Sequence, residues 1–385
     1  MPDVKVYSTS MCQYCRLVKA FLDKKGVAYD VLDVGTDHAA AKEMVELTGQ
    51  FGVPVTVVGD EVIIGFDTAR LNELFGEGRG EGEYDLVIIG AGPAGLTAGV
   101  YAARKKIRSI IISENIGGQA LESWAIENYM GYRMVAGQDL MQKFEEQVKK
   151  EEIQIELDSI SSISDDSGVF TIKTVSDQTF MAKCLIITSG VRPRWLGLPD
   201  EKRFIGRGES VCATCDGPLF AGKSVAVVGG GNSALMTVIE MSRIAKEVYL
   251  IVRSHIRADP VYADQYKALS NVHTLMNYAV SGLEGREFLS TVVVSERDTA
   301  EVRRLPVEGL FLAIGHDANT GFLDGFVNLE ESGEIVIDQN CHTSREGVFA
   351  AGDVTNVAGK QIIIAAGDGA KAALEAYRYL MEKGV

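Results

Sequence analysis

The sequence predicts an α/β protein: a small mixed unit at the N-terminus, then two Rossmann-like, three-layer units. Three observations carry this. Residues 1–76 read in the order β-α-β-α-β-β-α. Residues 76–83, Gly-Glu-Gly-Arg-Gly-Glu-Gly-Glu, hold nothing to bury and read as a flexible exposed linker. Beyond it the chain twice runs apolar strand, glycine turn, helix and strand, the βαβ pattern of a parallel sheet with helices on its faces.

In the first unit, Val4–Ser8 predicts a strand, and Leu17, Val18, Phe21 and Leu22 share one helical face. A strand follows at Tyr29–Val34 and a helix over 38–49. Residues 55–64 predict a hairpin turning at Gly59-Asp60, and Asp67 or Thr68 caps a last helix ending near Phe75. This is the order of a thioredoxin-like unit. The first βαβ runs Asp85 to Gly95, a helix over 96–106 and a strand over 109–113. The second runs Ser224 to Ala234, a helix over 235–244 and a strand over 247–252.

A length of 385 residues implies two or three domains. The net charge of −15 argues against binding a phosphate backbone, so nucleic acid is excluded as a main partner. Residues 1–11 lack the apolar core of a signal peptide, and no apolar run reaches the roughly 18 residues of a membrane span. The sequence therefore reads as cytoplasmic and not membrane-bound. Four of six cysteines fall in two Cys-x-x-Cys pairs, which points to redox chemistry or metal.

Gly90, Gly92 and Gly95 form G-x-G-x-x-G directly after an apolar strand, where bare backbone lets a pyrophosphate approach a helix N-terminus. Glu114, near the end of the second strand, is the candidate carboxylate for ribose hydroxyls. Gly229, Gly231 and Ala234 give the G-x-G-x-x-A variant. Two such units imply two nucleotides, FAD and a nicotinamide coenzyme. After the strand ending at Val252 come Arg253 and Arg257 with no acid at the usual place, which favours a 2′-phosphate and hence NADPH over NADH. The alternative is that both arginines are plain surface charges.

Cys12-Gln-Tyr-Cys15 follows a strand and opens a helix, where free N–H groups and the helix dipole stabilise a thiolate. Cys12 is the candidate nucleophile, and Cys15, one turn on, resolves its mixed disulfide. Val53-Pro54 precedes the hairpin at the place where thioredoxin-like folds hold a cis proline beside the cysteines. Cys212-Ala-Thr-Cys215 is followed by Asp216. Zinc ribbons separate their pairs by roughly 15–20 residues, whereas 196 residues lie between Cys15 and Cys212, so no metal site is assigned. As a redox pair Cys212 and Cys215 take electrons from a nearby flavin, with Asp216 as acid for the leaving thiolate. Asp353, in Ala351-Gly-Asp353, is placed to bond a ribityl chain. Cys184 reads as inert packing.

These residues resemble two families joined end to end. From Tyr84 to Val385 the chain is similar to low-molecular-weight thioredoxin reductase, through Gly90-Ala-Gly-Pro-Ala-Gly95, Gly117-Gly-Gln119, Ile126-Glu-Asn-Tyr129, Cys212-Ala-Thr-Cys-Asp216, Gly229-Gly-Gly-Asn-Ser-Ala234 and Ala351-Gly-Asp353. That resemblance implies FAD bound by Gly90, Gly92, Pro93, Ala94, Gly95, Glu114, Gly118, Gln119, Asn128, Gly352, Asp353, Lys360 and Gln361. Gly229, Gly231, Asn232, Ser233, Ala234, Arg253 and Arg257 would hold the coenzyme. It further implies a homodimer, an FAD domain of residues 84–195 and 308–385, and an NAD(P)H domain of residues 196–307 that rotates so that its cysteines face flavin or acceptor in turn. Lys360 stands where the family usually has Arg.

Residues 1–76 resemble a short glutaredoxin, through Cys12-Gln-Tyr-Cys15, Gly52-Val-Pro-Val55 and Gly65-Phe-Asp67, which implies substrate contacts at Tyr14, Val53, Pro54, Gly65, Phe66 and Asp67. Phe66, in place of the second small residue of Gly-Gly-x-Asp, resembles variants fed by thioredoxin reductase. Ile256-Arg-Ala-Asp259 instead resembles the NADH-using alkyl hydroperoxide reductase flavoproteins, donors to a peroxiredoxin that also carry an N-terminal thioredoxin-like unit. The function implied is electron transfer from NADPH through FAD and Cys212/Cys215 to Cys12/Cys15. The final acceptor is a peroxiredoxin, thioredoxin, ribonucleotide reductase or a small disulfide such as glutathione disulfide. A ferredoxin-fed enzyme and a redox sensor that does not turn over are the other readings.

Overall fold

The computed structural model describes the chain except residues 1–3, 10, 11, 25, 60, 76–81, 124, 167 and 385, and except the side chains of 13, 20, 24, 68, 69, 72 and 73. The N-terminal unit runs β1 (Val4–Ser8), α1 (Gln13–Lys24), β2 (Asp30–Asp33), α2 (His38–Thr48), β3 (Val55–Val58), β4 (Glu61–Ile64) and α3 (Thr68–Phe75). The strands pair in the order β2-β1-β3-β4, parallel between β1 and β2 and antiparallel elsewhere. The predicted helical face is buried: Val18, Phe21 and Leu22 pack with Val4, Val6 and Leu71, and Leu17 is buried as well. Asp37 caps α2, accepting the N–H groups of Ala39 and Ala40, and Asp67 accepts the N–H of Arg70 at the start of α3 (3.0 Å). Gly59 turns the hairpin at φ +62°; its neighbour Asp60 lies outside the described residues.

The predicted linker is shorter at its C-terminal end than the sequence suggests. Strand β5 (Gly82–Ala91) already includes Gly82 and Glu83, because they pair with Phe180 and Met181; residues 76–81 lie outside the described residues. The chain continues through α4 (Pro93–Arg104), β6 (Ser109–Ile116), α5 (Gly137–Lys150), β7 (Gln154–Leu157), β8 (Ile160–Asp166), β9 (Val169–Thr174), β10 (Thr179–Ile187) and β11 (Val191–Pro193). It then forms β12 (Glu209–Ser210), α6 (Ala213–Asp216), β13 (Ser224–Val228), α7 (Asn232–Met241), β14 (Glu247–Val252), α8 (Pro260–Lys267), β15 (Val272–Met276), β16 (Tyr278–Gly285), β17 (Leu289–Glu296), β18 (Val302–Leu305), β19 (Gly309–Leu312) and β20 (His316–Ala318). Strand β21 (Val348–Ala350) and α9 (Ile362–Glu382) complete it.

Two sheets carry the βαβ units. One has the order β7-β6-β5-β10-β9-β8, with β21 parallel to the end of β10. The other is the parallel sheet β12-β19-β13-β14-β15. Between them the chain passes out through β11 and back through β20, which pair antiparallel. The first sheet is covered on one face by α4 and α9 and on the other by Phe326, Leu323 and Val327. Helices α4 and α9 approach so closely that a Cβ on Gly369 would lie 2.0 Å from the carbonyl oxygen of Ala94. That proximity accounts for Ala365, Ala372, Ala373 and Ala376 on α9, all buried. Among the described residues no helix is long and apolar enough to cross a membrane.

Candidate functional site

The first glycine turn opens into a cavity of about 850 Å³. Gly90 leaves β5 at φ +106°, and a Cβ there would strike the carbonyl of Thr188 at 2.4 Å. Gly92 is the N-cap of α4, with Pro93 in its first turn. Gly95 does not line the cavity; its role is packing, since a Cβ would lie 1.8 Å from the Gly90 oxygen. Gly352 likewise sits behind the wall, its would-be Cβ 3.0 Å from that of Ala94. Gly90, Gly92, Pro93, Ala94, Glu114, Gly118, Gln119, Asn128, Asp353, Lys360 and Gln361 all line the cavity.

This cradle fits a dinucleotide. Backbone without side chains meets the N-terminus of α4 at one end, and a Cβ on Gly118 would lie 3.2 Å from the Gly92 Cα. Deeper in, burial pushes the Asp353 carboxyl up, opposed by the charge of Lys360. Glu114 at the rim is paired with Arg192, whose Nη2 donates to both oxygens (3.0 and 3.3 Å), and accepts from Ser159 Oγ (3.0 Å). The ammonium of Lys360 pairs with Glu334 (2.9 Å) and donates to the carbonyl of Thr355.

The same cavity holds the second cysteine pair. Cys212 and Cys215 form a disulfide, and both line the wall with Asp216. Cys212 caps α6, and its Sγ accepts the N–H of Cys215 at 3.2 Å. Gln361, 146 residues beyond Cys215, spans the two sulfurs: its Nε2 donates to Cys212 Sγ, and its Oε1 lies at the same 3.8 Å from Cys215 Sγ. Asn128 Nδ2 donates to that Oε1 (2.9 Å), fixing which way the amide faces. Burial pushes the Asp216 carboxyl up, opposed by Ser210, whose Oγ donates to Oδ2 at 2.5 Å. Ser210 also accepts the N–H of Cys212 (3.0 Å). The sequence reading passed over Ser210; a hydroxyl two residues ahead of a helix-opening cysteine is the signal of a local side-chain-to-backbone turn.

In the N-terminal unit, Cys12 is half-buried between β1 and α1. Its Sγ accepts the N–H of Cys15 (3.2 Å) and donates to the carbonyl of Val53 (3.5 Å). The Val53–Pro54 bond is cis, and the Pro54 carbonyl accepts the N–H of Gly65 (2.8 Å). Cys15 is buried, which with its contact to Cys12 pushes the thiol up to about 12. Tyr14 is 57% exposed and Phe51, which the sequence reading left out, 86%. Phe66 is turned the other way, edge-on to Phe21 (6.2 Å between centroids) and against the core, and Asp67 spends its carboxylate on the α3 cap. No hydrogen bond links the two cysteine pairs among the described residues. Cys184 and Cys341 are buried, and burial raises both thiols.

The second glycine turn lies apart from this cavity. Gly229 has φ +147°, Gly231 caps α7, and Ala234 is buried under them, while Asn232 and Ser233 are exposed. The stretch after β14 is fastened over the turn: the N–H of Arg257 donates to the Gly230 carbonyl (2.6 Å), and Asn232 exchanges two hydrogen bonds with Asp259 (2.7 and 2.9 Å). Arg253 and Arg257 are exposed there. Among the described residues no three His, Cys, Asp or Glu side chains are grouped to hold a metal ion.

The family model described as pyridine nucleotide-disulphide oxidoreductase matches residues 84–369, and that of glutaredoxin matches residues 4–63. An alkyl hydroperoxide reductase component of Pseudomonas putida is 36% identical over 397 aligned residues, covering 98% of this chain and 76% of the relative. A protein of Bacillus subtilis (strain 168) named NADH dehydrogenase is 33% identical, covering 97% and 76%. Thioredoxin reductase from Streptococcus pyogenes MGAS5005 superposes with TM-score 0.75 at 34% identity, over 78% of this chain and 99% of that one. Lactococcus lactis thioredoxin reductase in its FR conformation, at 32% identity and the same coverage, superposes with TM-score 0.54.

Proposed function

This chain belongs to the pyridine nucleotide-disulphide oxidoreductases, a glutaredoxin joined to a thioredoxin reductase-like body, and from that premise we propose that it passes electrons from NADPH to Cys212/Cys215, then to Cys12/Cys15, then to an external disulfide. It is a disulfide oxidoreductase, and its family uses FAD and NAD(P)H. The observation that carries the electron route is the Cys212–Cys215 disulfide inside the cavity that the first glycine turn opens.

Gly90, Gly92, Pro93 and Ala94 would hold the pyrophosphate of FAD, Glu114 its ribose and Asp353 its ribityl chain. When bound, FAD supplies a two-electron relay between nicotinamide and disulfide. The remaining work falls to this chain. Reduction of Cys212–Cys215 takes two electrons and breaks the S–S bond; Asp216, whose carboxyl burial pushes up, is placed to give a proton to one leaving sulfur, and the other remains a thiolate. Gln361 and the N–H of Cys215 donate to Cys212 Sγ and favour the charge there. The thiolate attacks a Cys12–Cys15 disulfide, breaking its S–S bond and forming a mixed disulfide; the other thiol of the Cys212/Cys215 pair resolves it, re-forming Cys212–Cys215 and leaving Cys12 and Cys15 reduced. Cys12 then attacks the acceptor disulfide, and Cys15 resolves that adduct. Thioredoxin-like and glutaredoxin-like potentials differ in the direction that makes the transfer between the two pairs downhill by roughly 2–3 kcal/mol.

We assign residues 84–195 and 308–385 to an FAD domain and 196–307 to an NAD(P)H domain, in a cytoplasmic homodimer. Rotation of the second domain is supported by the thioredoxin reductases themselves, two of which match this chain at 34% and 32% identity over equal coverage yet differ in TM-score, 0.75 against 0.54. NADPH is favoured by the exposed Arg253 and Arg257 and the lack of an acid at the end of β14. NADH is the second reading, favoured by the name of the Bacillus subtilis relative. Anaerobic bleaching of the flavin by each coenzyme decides: rapid reduction by NADH alone rejects NADPH. The acceptor is a peroxiredoxin, thioredoxin, ribonucleotide reductase or small disulfide. Cys15→Ser, which cannot resolve the mixed disulfide on Cys12, is expected to trap it; a lysate that yields no protein adduct points to a small molecule. The route fails if Cys12→Ser leaves external disulfide reduction unchanged.

A further inference from the structure

Residues 194–208 carry the chain from β11 into β12, and two buried carboxyl groups lie on this crossover. Glu201, 4% exposed, spends both oxygens on backbone: Oε1 accepts the N–H of Leu196 (2.7 Å), and Oε2 accepts those of Gly197 (2.7 Å) and Leu198 (3.0 Å). Glu209, 1% exposed, is the first residue of β12, and neither of its carboxyl oxygens has a donor. Its backbone holds it in place. The N–H of Glu209 donates to Phe204 (2.9 Å), its carbonyl accepts from Gly206 (2.9 Å), and it is in register with Leu310 on β19.

The ionisable group acting on Glu209 is Glu201. Among the described residues no cation offsets the pair: Arg203 lies over the Phe204 ring and donates to the carbonyls of Gly285 and Arg286, while Lys202 and Arg207 are exposed. Two carboxylates so placed repel, whereas one proton on Glu209 supplies the missing donor. Burial first, and then Glu201, push the Glu209 carboxyl up to about 8. The next residue is Ser210, whose hydroxyl holds both Asp216 and the N–H of Cys212. Where β12 sits therefore decides where the cysteine pair sits.

We propose that Glu209 is a positioning residue for the Cys212–Cys215 pair: its neutral carboxyl donates to Glu201 and latches β12 to the turn at residues 196–198, and loss of that proton releases the latch. The effect on turnover rests on the reading that Cys212/Cys215 accepts the flavin's electrons. The sign follows from linkage. A released or unfolded Glu titrates near about 4.3, so the latch is fully stabilising below that value. Its contribution declines as pH rises and is gone above about 8, where the closed form itself ionises.

The test compares holoenzyme with Glu209→Gln, whose amide donates at every pH. Infrared difference spectra of wild type should lose a neutral carboxyl band with a midpoint near pH 8, absent in the variant. Trp195, next to the turn, should change fluorescence with the same midpoint in wild type alone. The ratio of wild-type to variant rate for electron transfer from reduced flavin to the cysteine pair should fall about tenfold between pH 7 and 9, as the protonated fraction does. Glu201→Gln provides a second arm: removing the neighbouring charge should move the band's midpoint down by at least about one pH unit. A band or fluorescence signal that does not titrate, or titrates alike in wild type and Glu209→Gln, overturns the latch. A titrating band with a flat rate ratio overturns its positioning role. The reading of the pair fails separately, if Cys212→Ser leaves electron transfer to disulfides intact, a result that does not touch the band.

Discussion

The two Cys-x-x-Cys pairs are built alike and housed differently. In each, the first sulfur accepts the N–H of the second cysteine at 3.2 Å at the opening of a helix. Cys12 heads a helix of 12 residues, its Sγ bonded to the carbonyl of Val53 ahead of the cis proline, with Tyr14 exposed two residues on. Cys212 caps a helix of four residues inside a cavity, and a side chain from α9's N-cap reaches across both sulfurs. The motif fixes sulfur against N–H. The surroundings differ: the first pair opens a helix beside the Val53–Pro54 bond, and the second lines the cavity that the first glycine turn opens.

The comparison breaks most sharply through the cysteines themselves. Cys212→Ser or Cys215→Ser should lower disulfide reduction at least about 10³-fold while the coenzyme still bleaches the flavin; comparable losses of both activities would place the pair elsewhere in the route. Gly95→Ala tests the cradle, because the new methyl would lie 1.8 Å from the Gly90 oxygen. The purified variant should retain at least about tenfold less FAD by absorbance, with the N-terminal pair still reducible by dithiothreitol. Thiol reactivity sharpens the contrast within the outer pair. With Cys15 pushed up to about 12, only about one molecule in 10⁵ carries that thiolate at pH 7. Brief iodoacetamide treatment of the reduced protein, read by peptide mass, should therefore mark Cys12 at least about 100-fold more than Cys15. The smallest expected effect is at the amide spanning the inner sulfurs: Gln361→Leu or Asn128→Ala should slow reduction of Cys212–Cys215 about three- to tenfold in stopped flow, measured per bound flavin.

What the sequence made legible was contiguous. Both glycine turns, both cysteine pairs, the α3 cap at Asp67 and the Val53-Pro54 step each occupy a few residues whose types answer a local need for bare backbone, an N-cap or a thiolate at a helix start. What it hid depends on chain segments meeting from afar. Gln361 reads as a cofactor ligand and lines the cavity, but its span over sulfurs 146 and 149 residues away follows only when α9 places its N-cap there. Gly82 and Glu83 read as linker because composition alone describes them, and pairing with β10 makes them strand. Phe66 reads as a substrate contact only through the resemblance, and its edge-on packing against Phe21 comes from the fold. Glu201 and Glu209 look like two of many acids, and only burial without a cation distinguishes them.

The strand pair β11–β20 also sets how the two parts of the enzyme are attached. The unit carrying Cys212 and Cys215 joins the first sheet by two neighbouring passages of chain, so the rotation proposed for it would be a swing about one axis. The glutaredoxin joins by a single passage. On the proposed route its cysteines act as a tethered reagent, present at an effective concentration of order millimolar for a short connection. Electron flow inside the body would then be governed by an angle and electron flow out of it by a concentration, so free glutaredoxin added in the micromolar range should compete poorly with the copy already attached.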